Sequence, residues 1–166
     1  GLGHNPDELK SILNKDQVMA NIMTPNIAQH HFKNKINEFI KPTYSSIMCL
    51  NSGSEANTLA MRIANLHNHK NPVTVSMIGS FHGRTEKPSV ASHSCRPSYQ
   101  KNLSDYMYHK NKNNYFIKYN DIESAIEVFD KIKQNNEFPE ITLLEPVQGE
   151  GNPGVIVNPI FYQTLR

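Results

Sequence analysis

Residues 46–78 read SIMCLNSGSEANTLAMRIANLHNHKNPVTVSMI, and their pattern decides the fold. Ser46–Leu50 is an apolar run of strand length. From residue 54 to 68, Ala56, Leu59, Ala60, Ile63 and Ala64 recur at the 3.6-residue period of one helix face. Asn71-Pro72 breaks the chain, and Val73–Ile78 alternates as a strand. Strand, helix, strand predicts a βαβ unit and hence a parallel sheet.

The same alternation continues downstream. Residues 79–112 hold Gly79, Gly83, Pro88 and Pro97 among many Ser, His and Tyr, and read as a long irregular excursion with short helical pieces. Such a stretch inside a compact domain is usually functional. Tyr115–Tyr119 is a strand candidate, and Asn120 with Glu123 forms a capping-box-like start for a helix carrying Ile122, Ala125, Ile126, Phe129 and Ile132. Ile141–Leu144 reads as a buried strand, Gly149–Gly154 as a loop and Ile160–Arg166 as a helix. Upstream, residues 7–15 form a short helix with Asp7 and Glu8 at its start. Thr24-Pro25 opens a second helix along Ala28, Phe32, Ile36, Phe39 and Ile40, which Lys41-Pro42 ends. The expected class is α/β, a mainly parallel sheet flanked by helices.

Composition narrows the function. The 166 residues are 37% apolar and 19% charged, as in an ordinary soluble domain, and their length fits one domain. A net charge of +2 gives no field suited to nucleic acid. No apolar run approaches the roughly 20 residues of a membrane span, and the acids of GLGHNPDELK argue against a signal peptide. Cys49 and Cys95 read as free thiols of a reducing compartment, which predicts a cytoplasmic protein.

In open parallel sheets, ligands bind at the carboxyl ends of strands. Three loops therefore carry the chemistry: residues 51–55, 79–85 and 145–151. In Asn51-Ser52-Gly53-Ser54-Glu55, a glycine lets a ligand approach the backbone and free N–H groups face outward at a helix start. That suits a phosphate, although an ordinary Ser cap has the same pattern. No GxxxxGK[ST] is present and no GxGxxG directly follows a strand candidate, so a phosphomonoester fits better than a nucleotide. In Gly79-Ser80-Phe81-His82-Gly83-Arg84-Thr85, Phe81 stacks on a planar ring or plugs the core, and Arg84 binds a carboxylate or is a surface charge. In Glu145-Pro146-Val147-Gln148-Gly149-Glu150-Gly151, Glu145 follows two leucines and needs a partner, whereas Glu150 also fits a solvated loop. His30-His31 and His67-Asn68-His69 lack a third ligand, so no metal site is expected.

Together these three segments resemble signatures of class III aminotransferases, pyridoxal-phosphate enzymes of fold type I. That group contains the acetylornithine, ornithine and 4-aminobutyrate transaminases. Gly1-Leu2-Gly3-His4-Asn5-Pro6 is similar to the glycine-rich segment that precedes the family's first long helices. The resemblance implies that Ser52, Gly53 and Ser54 hold the phosphate of pyridoxal 5'-phosphate and that Phe81, beside His82, stacks on its ring. It implies that Glu145 supports the acid paired with the pyridine nitrogen and that Gln148 lies near the ring oxygen. Arg84 then binds a substrate carboxylate, and Glu150 lies on the substrate side, where relatives use it to hold or release an arginine.

The implied activity is amino transfer between an amino acid and a 2-oxo acid by a cytoplasmic homodimer. In the resembled family, the Lys that forms the Schiff base with the cofactor, and the Asp on the pyridine nitrogen, lie beyond the third loop. Both are therefore expected past Arg166, and residues 1–166 are read as part of the cofactor-binding large domain, without the family's N-terminal region and C-terminal half. No Lys of this chain is assigned to catalysis, and the chain alone is expected to be inactive. The rival readings are an aminomutase on the same fold, and a truncated or split homologue without catalysis.

Overall fold

The structure, a computed structural model, describes residues 3–13, 27–40, 46–102 and 114–166. The chain divides into two units, Gly1–Met48 and Cys49–Arg166. In the first, α1 spans Asp7–Leu13 and α2 spans Ile27–Phe39. Asp7 and Glu8 occupy the first turn of α1, where negative charge meets the positive end of the helix dipole. The expected boundaries of α2 at Thr24-Pro25 and Lys41-Pro42 lie outside the described residues. No residue of α2 is buried.

The second unit contains α3 (Gly53–Asn65), β1 (Pro72–Met77), α4 (Glu86–Ala91) and α5 (Arg96–Asn102). It continues with β2 (Asn114–Ile117), α6 (Ile122–Gln134), β3 (Phe138–Thr142) and α7 (Pro159–Leu165). The strands form a three-stranded sheet in the order β2-β1-β3. Both pairings are parallel, with Val75 opposite Tyr115 on one side and Thr142 on the other. The fold is α/β, as the alternation of strand and helix predicts.

As the central strand, β1 is buried on both faces rather than alternating. Val73, Val75 and Met77 share one face and meet Ala125 and Ile132 of α6 and Phe161 of α7. Burying each such side chain contributes roughly 1.5–3 kcal/mol. Ser76 points the other way, and its hydroxyl donates to the carbonyl of Ala91 in α4 at 2.8 Å.

Four expectations need correction. Residues 46–50 form no strand, because no described strand pairs with them; Met48 and Leu50 stay exposed. The packed side of α3 runs through Ser54, Asn57, Thr58, Leu59, Met61 and Ala64, whereas Ala56, Ala60 and Ile63 of the expected face are exposed. Polar residues there bond to the loop after β1, which the apolar period cannot reveal. The cap of α6 is Asp121, whose carboxylate accepts from Ser124 N at 2.9 Å. Asn120 instead adopts φ 63° and bonds the Ile156 carbonyl and Asn158 N. Finally, β3 begins at Phe138 and is only half-buried, as suits its place at the edge of this sheet.

Candidate active site

The three loops singled out in the sequence meet at one place in the second unit, although only those at 79–85 and 145–151 follow strands. Ser52 caps α3, its hydroxyl accepting from Glu55 N at 3.3 Å. The N–H groups of Gly53 and Ser54 have no partner among the described residues. Gly53 is exposed, and a Cβ there would meet nothing within 4 Å. The helix start thus presents two free donors at the positive end of its dipole.

The loop after β1 lies against this start. The Ser54 hydroxyl accepts from Arg84 N at 3.3 Å, and Thr85 Oγ1 donates to the Ser54 carbonyl at 3.2 Å. Asn57 Nδ2 donates to the His82 carbonyl at 2.7 Å. Gly83 makes the approach possible: at φ 124° a Cβ would lie 2.4 Å from Ser54 Oγ and 2.8 Å from Ser54 Cα. Phe81 is half-buried and packs on the small cluster of Val90 and Tyr99. His82 is buried, its backbone N–H donates to Ser92 Oγ at 2.8 Å, and its Nε2 has no partner among the described residues. Burial lowers its pKa to about 4. Arg84 is exposed and pairs with no carboxylate among the described residues.

The third loop closes from the other side. Glu145 Oε2 accepts from Phe81 N at 3.0 Å and Oε1 from Gly149 N at 3.2 Å, which answers the need for a partner beside two leucines. The Tyr119 hydroxyl donates to the Glu145 carbonyl at 2.7 Å. Burial first, and then the Glu145 charge, raise the Tyr119 pKa. Gln148 is fully buried; its amide donates to the Ile78 carbonyl at 3.0 Å and accepts from Asn152 at 3.2 Å. Gly151 sits so close to Gly79 that a Cβ would lie 2.2 Å from its carbonyl oxygen. Glu150 is exposed, and its Oε1 accepts from the Cys95 thiol at 2.8 Å.

The structure therefore brings Ser52, Gly53, Ser54, Phe81, Arg84 and Glu145 into adjoining loops, with His82 and Gln148 buried behind them. Asn57, Ser92, His93 and Tyr119 also build the junction, and the sequence reading missed all of them. His93 accepts from Gly79 N at 3.1 Å, its pKa lowered by burial and by Arg96. Their partners lie ten or more residues away in sequence, so no local spacing marks them. A cleft of about 330 Å³ opens on the flank of α3 between Leu50, Leu59, Arg62 and Glu86, and its lining includes none of Gly53, Phe81, Arg84 or Gln148.

The family model for class-III aminotransferases matches residues 1–166. The chain belongs to the class-III aminotransferases. Acetylornithine aminotransferase of Prochlorococcus marinus (strain MED4) is 36% identical over 127 residues, covering 73% of this chain and 29% of that protein. Acetylornithine aminotransferase of Parasynechococcus marenigrum is 33% identical over 128 residues, covering 73% of this chain and 28% of its own length. The chain thus spans under a third of these curated relatives. A transaminase from the marine bacterium Virgibacillus shares the fold, with a TM-score of 0.72 at 19% identity over 95% of this chain and 36% of that one. Among its described residues this class-III aminotransferase chain has no helix long and apolar enough to cross a membrane.

Proposed function

We propose that this chain is the phosphate- and carboxylate-binding part of a pyridoxal-phosphate-dependent transaminase that exchanges an amino group between an amino acid and a 2-oxo acid. The observation that carries this reading is the pair of N–H groups at Gly53 and Ser54 that have no partner among the described residues, at a helix start locked against the Arg84 loop through Gly83. Two idle donors at a helix start fit a phosphomonoester. Bound pyridoxal phosphate supplies the electron sink that amino transfer requires.

The chain's own residues supply binding and orientation. Gly53 and Ser54 hold the phosphate, with Ser52 setting the helix start. Phe81 lies along the ring, its backbone fixed by Glu145. Gln148 and His82 support the loop from behind. Arg84 takes a substrate carboxylate through its two-pronged guanidinium, and Glu150 stands on the substrate side. In this reading residues 1–166 form part of a cofactor-binding large domain, the Schiff-base Lys comes from outside them, and the complete enzyme is a cytoplasmic homodimer.

The test uses the full-length protein, titrated with inorganic phosphate and with pyridoxal 5'-phosphate, then assayed for amino transfer from a panel of amino acids to 2-oxoglutarate. Arg84→Lys keeps the charge but loses the fork. It should lower kcat/KM by roughly tenfold or more, about 1.4 kcal/mol or above, while phosphate affinity stays unchanged. A protein that binds neither phosphate nor pyridoxal phosphate sinks the reading. Amino migration within one substrate, without a 2-oxo acid acceptor, would favour the aminomutase.

A further inference from the structure

We propose that Cys95 and Tyr99 are positioning residues that join Arg84 to Glu150, so that the carboxylate anchor and the loop acid are set as one unit. The proposal rests on the reading of Arg84 as the anchor for a substrate carboxylate.

Cys95 directly precedes α5 and Tyr99 lies one turn into it, the Tyr99 N–H bonding the Cys95 carbonyl at 2.9 Å. Residues four apart on a helix share a face. From that face the Cys95 thiol donates to Glu150 Oε1 at 2.8 Å, linking segments 55 residues apart. Tyr99 packs with Val90, Phe81 and Cys95, and only 6% of it is exposed. Its hydroxyl is buried and closes no hydrogen bond among the described residues. Yet the Cys95 thiol and the Arg84 guanidinium both lie beside it.

The donor inventory then fixes a direction. A guanidinium only donates, a carboxylate only accepts, and a phenol and a thiol each do both. Arg84 to Tyr99 to Cys95 to Glu150 is the order in which each group's capacity is met, and its last link is already formed. A buried hydroxyl without a partner is costly, so the empty capacity of Tyr99 favours closure of the other two links. Arg84 is exposed. Burial pushes the Tyr99 hydroxyl up to about 12, with Cys95 acting the same way and Arg84 opposing, so it stays protonated and able to donate at neutral pH.

The first test reads the Cys95 link without any ligand. In the full-length protein, the S–H stretching band of Cys95, isolated by infrared difference against Cys95→Ser, should lie below that of exposed Cys49, isolated against Cys49→Ser. Glu150→Ala should move it up to the Cys49 position. The second test titrates glutarate calorimetrically as a carboxylate probe. Cys95→Ala and Tyr99→Phe should each weaken it about three- to tenfold, the range of one hydrogen bond, and Cys95→Ser less than about twofold. In a Glu150→Ala background, Cys95→Ala should add no further loss, because residues of one network do not add.

An S–H band unmoved by Glu150→Ala, additive losses, or no measurable glutarate binding would each overturn the proposal. The two readings separate cleanly. An intact link in a protein that transfers no amino group removes the transaminase reading alone. Unchanged KM, kcat and glutarate affinity in an active Cys95→Ala enzyme removes the positioning role alone.

Discussion

The loop at residues 51–55 and the loop at 145–151 are built in opposite ways. At the start of α3, two backbone donors stand without a partner among the described residues and a Cβ on Gly53 would touch nothing within 4 Å. Around Glu145, both carboxylate oxygens are engaged, Gln148 bonds at both ends of its amide, and Gly151 presses on the Gly79 carbonyl. The difference separates mount from receptor. The second and third loops bond one another, with His82 Nε2 alone of their buried side-chain atoms left over among the described residues, whereas the first keeps two backbone N–H groups without a partner. A buried polar group must be paired, while an exposed one is free to await a ligand.

The largest effect should come from steric insertion into the closed pair. In Gly151→Ala the new Cβ would lie 2.2 Å from Gly79 O and 2.6 Å from Ser94 Cβ, so backbone has to shift. We expect a loss of about 3 kcal/mol or more in urea unfolding of the full-length protein. Gly83→Ala should behave similarly, since Ser54 Cα stands 2.8 Å away and φ is 124°. Gly53→Ala is the control and should stay within about 0.5 kcal/mol. Equal losses at Gly151 and Gly53 would erase the distinction between the loops.

The same contrast explains what was legible beforehand. The central β1 and α6 announce themselves by local period, and the loops at 79–85 and 145–151 follow from their place after strands. The start of α3 is legible because Ser52, Gly53 and Ser54 open an amphipathic helix pattern, even though residues 46–50 before it form no strand. The role of Glu145 was half legible: two leucines before it demand a partner, but Phe81 N lies 64 residues away. The packed seam of α3 was misread because Asn57 and Thr58 face inward to bond residues 82 and 85, and a hydrophobic period counts only apolar residues. Ser46–Leu50 looked like a strand because strand propensity is local, whereas a strand needs a partner. The cap of α7, Asn158 followed by Pro159, was present in the sequence and simply unused.

Acid should sharpen the comparison next, through His82 on the closed side. Its folded pKa of about 4 lies below the ordinary imidazole value of 6.5, so the unfolded chain binds the extra proton between those values. Stability is then full above about pH 6.5 and falls as pH drops toward 4, by up to about 3 kcal/mol at 1.36 kcal/mol per unit. His82→Gln should flatten that window. An unchanged pH slope in His82→Gln would show that the ring is protonated without cost. Somewhat smaller is Glu145→Ala, which strands the N–H groups of Phe81 and Gly149. It should cost about 2 kcal/mol, with faster amide exchange at those two residues. Glu145→Gln keeps one acceptor and should lose less.

The smallest effect tests the open side. Ser52 caps α3 through a single bond to Glu55 N, and Ser52→Ala should cost about 1 kcal/mol. Ser52→Asp caps about as well, and its charge suits the helix dipole, so stability should return to the parent value. Its carboxylate would nevertheless sit beside the idle N–H groups of Gly53 and Ser54, where an arriving phosphate meets like charge. Calorimetric titration with inorganic phosphate should therefore show Ser52→Asp binding about fivefold or more weakly than the parent, about 1 kcal/mol. Thermal unfolding should place both at the same midpoint. Stability and anion affinity thus move apart only if the helix start is both a cap and a receptor. Parent-like phosphate affinity in Ser52→Asp would reduce residues 51–55 to an ordinary capped helix end, and the open half of the comparison would lose its meaning.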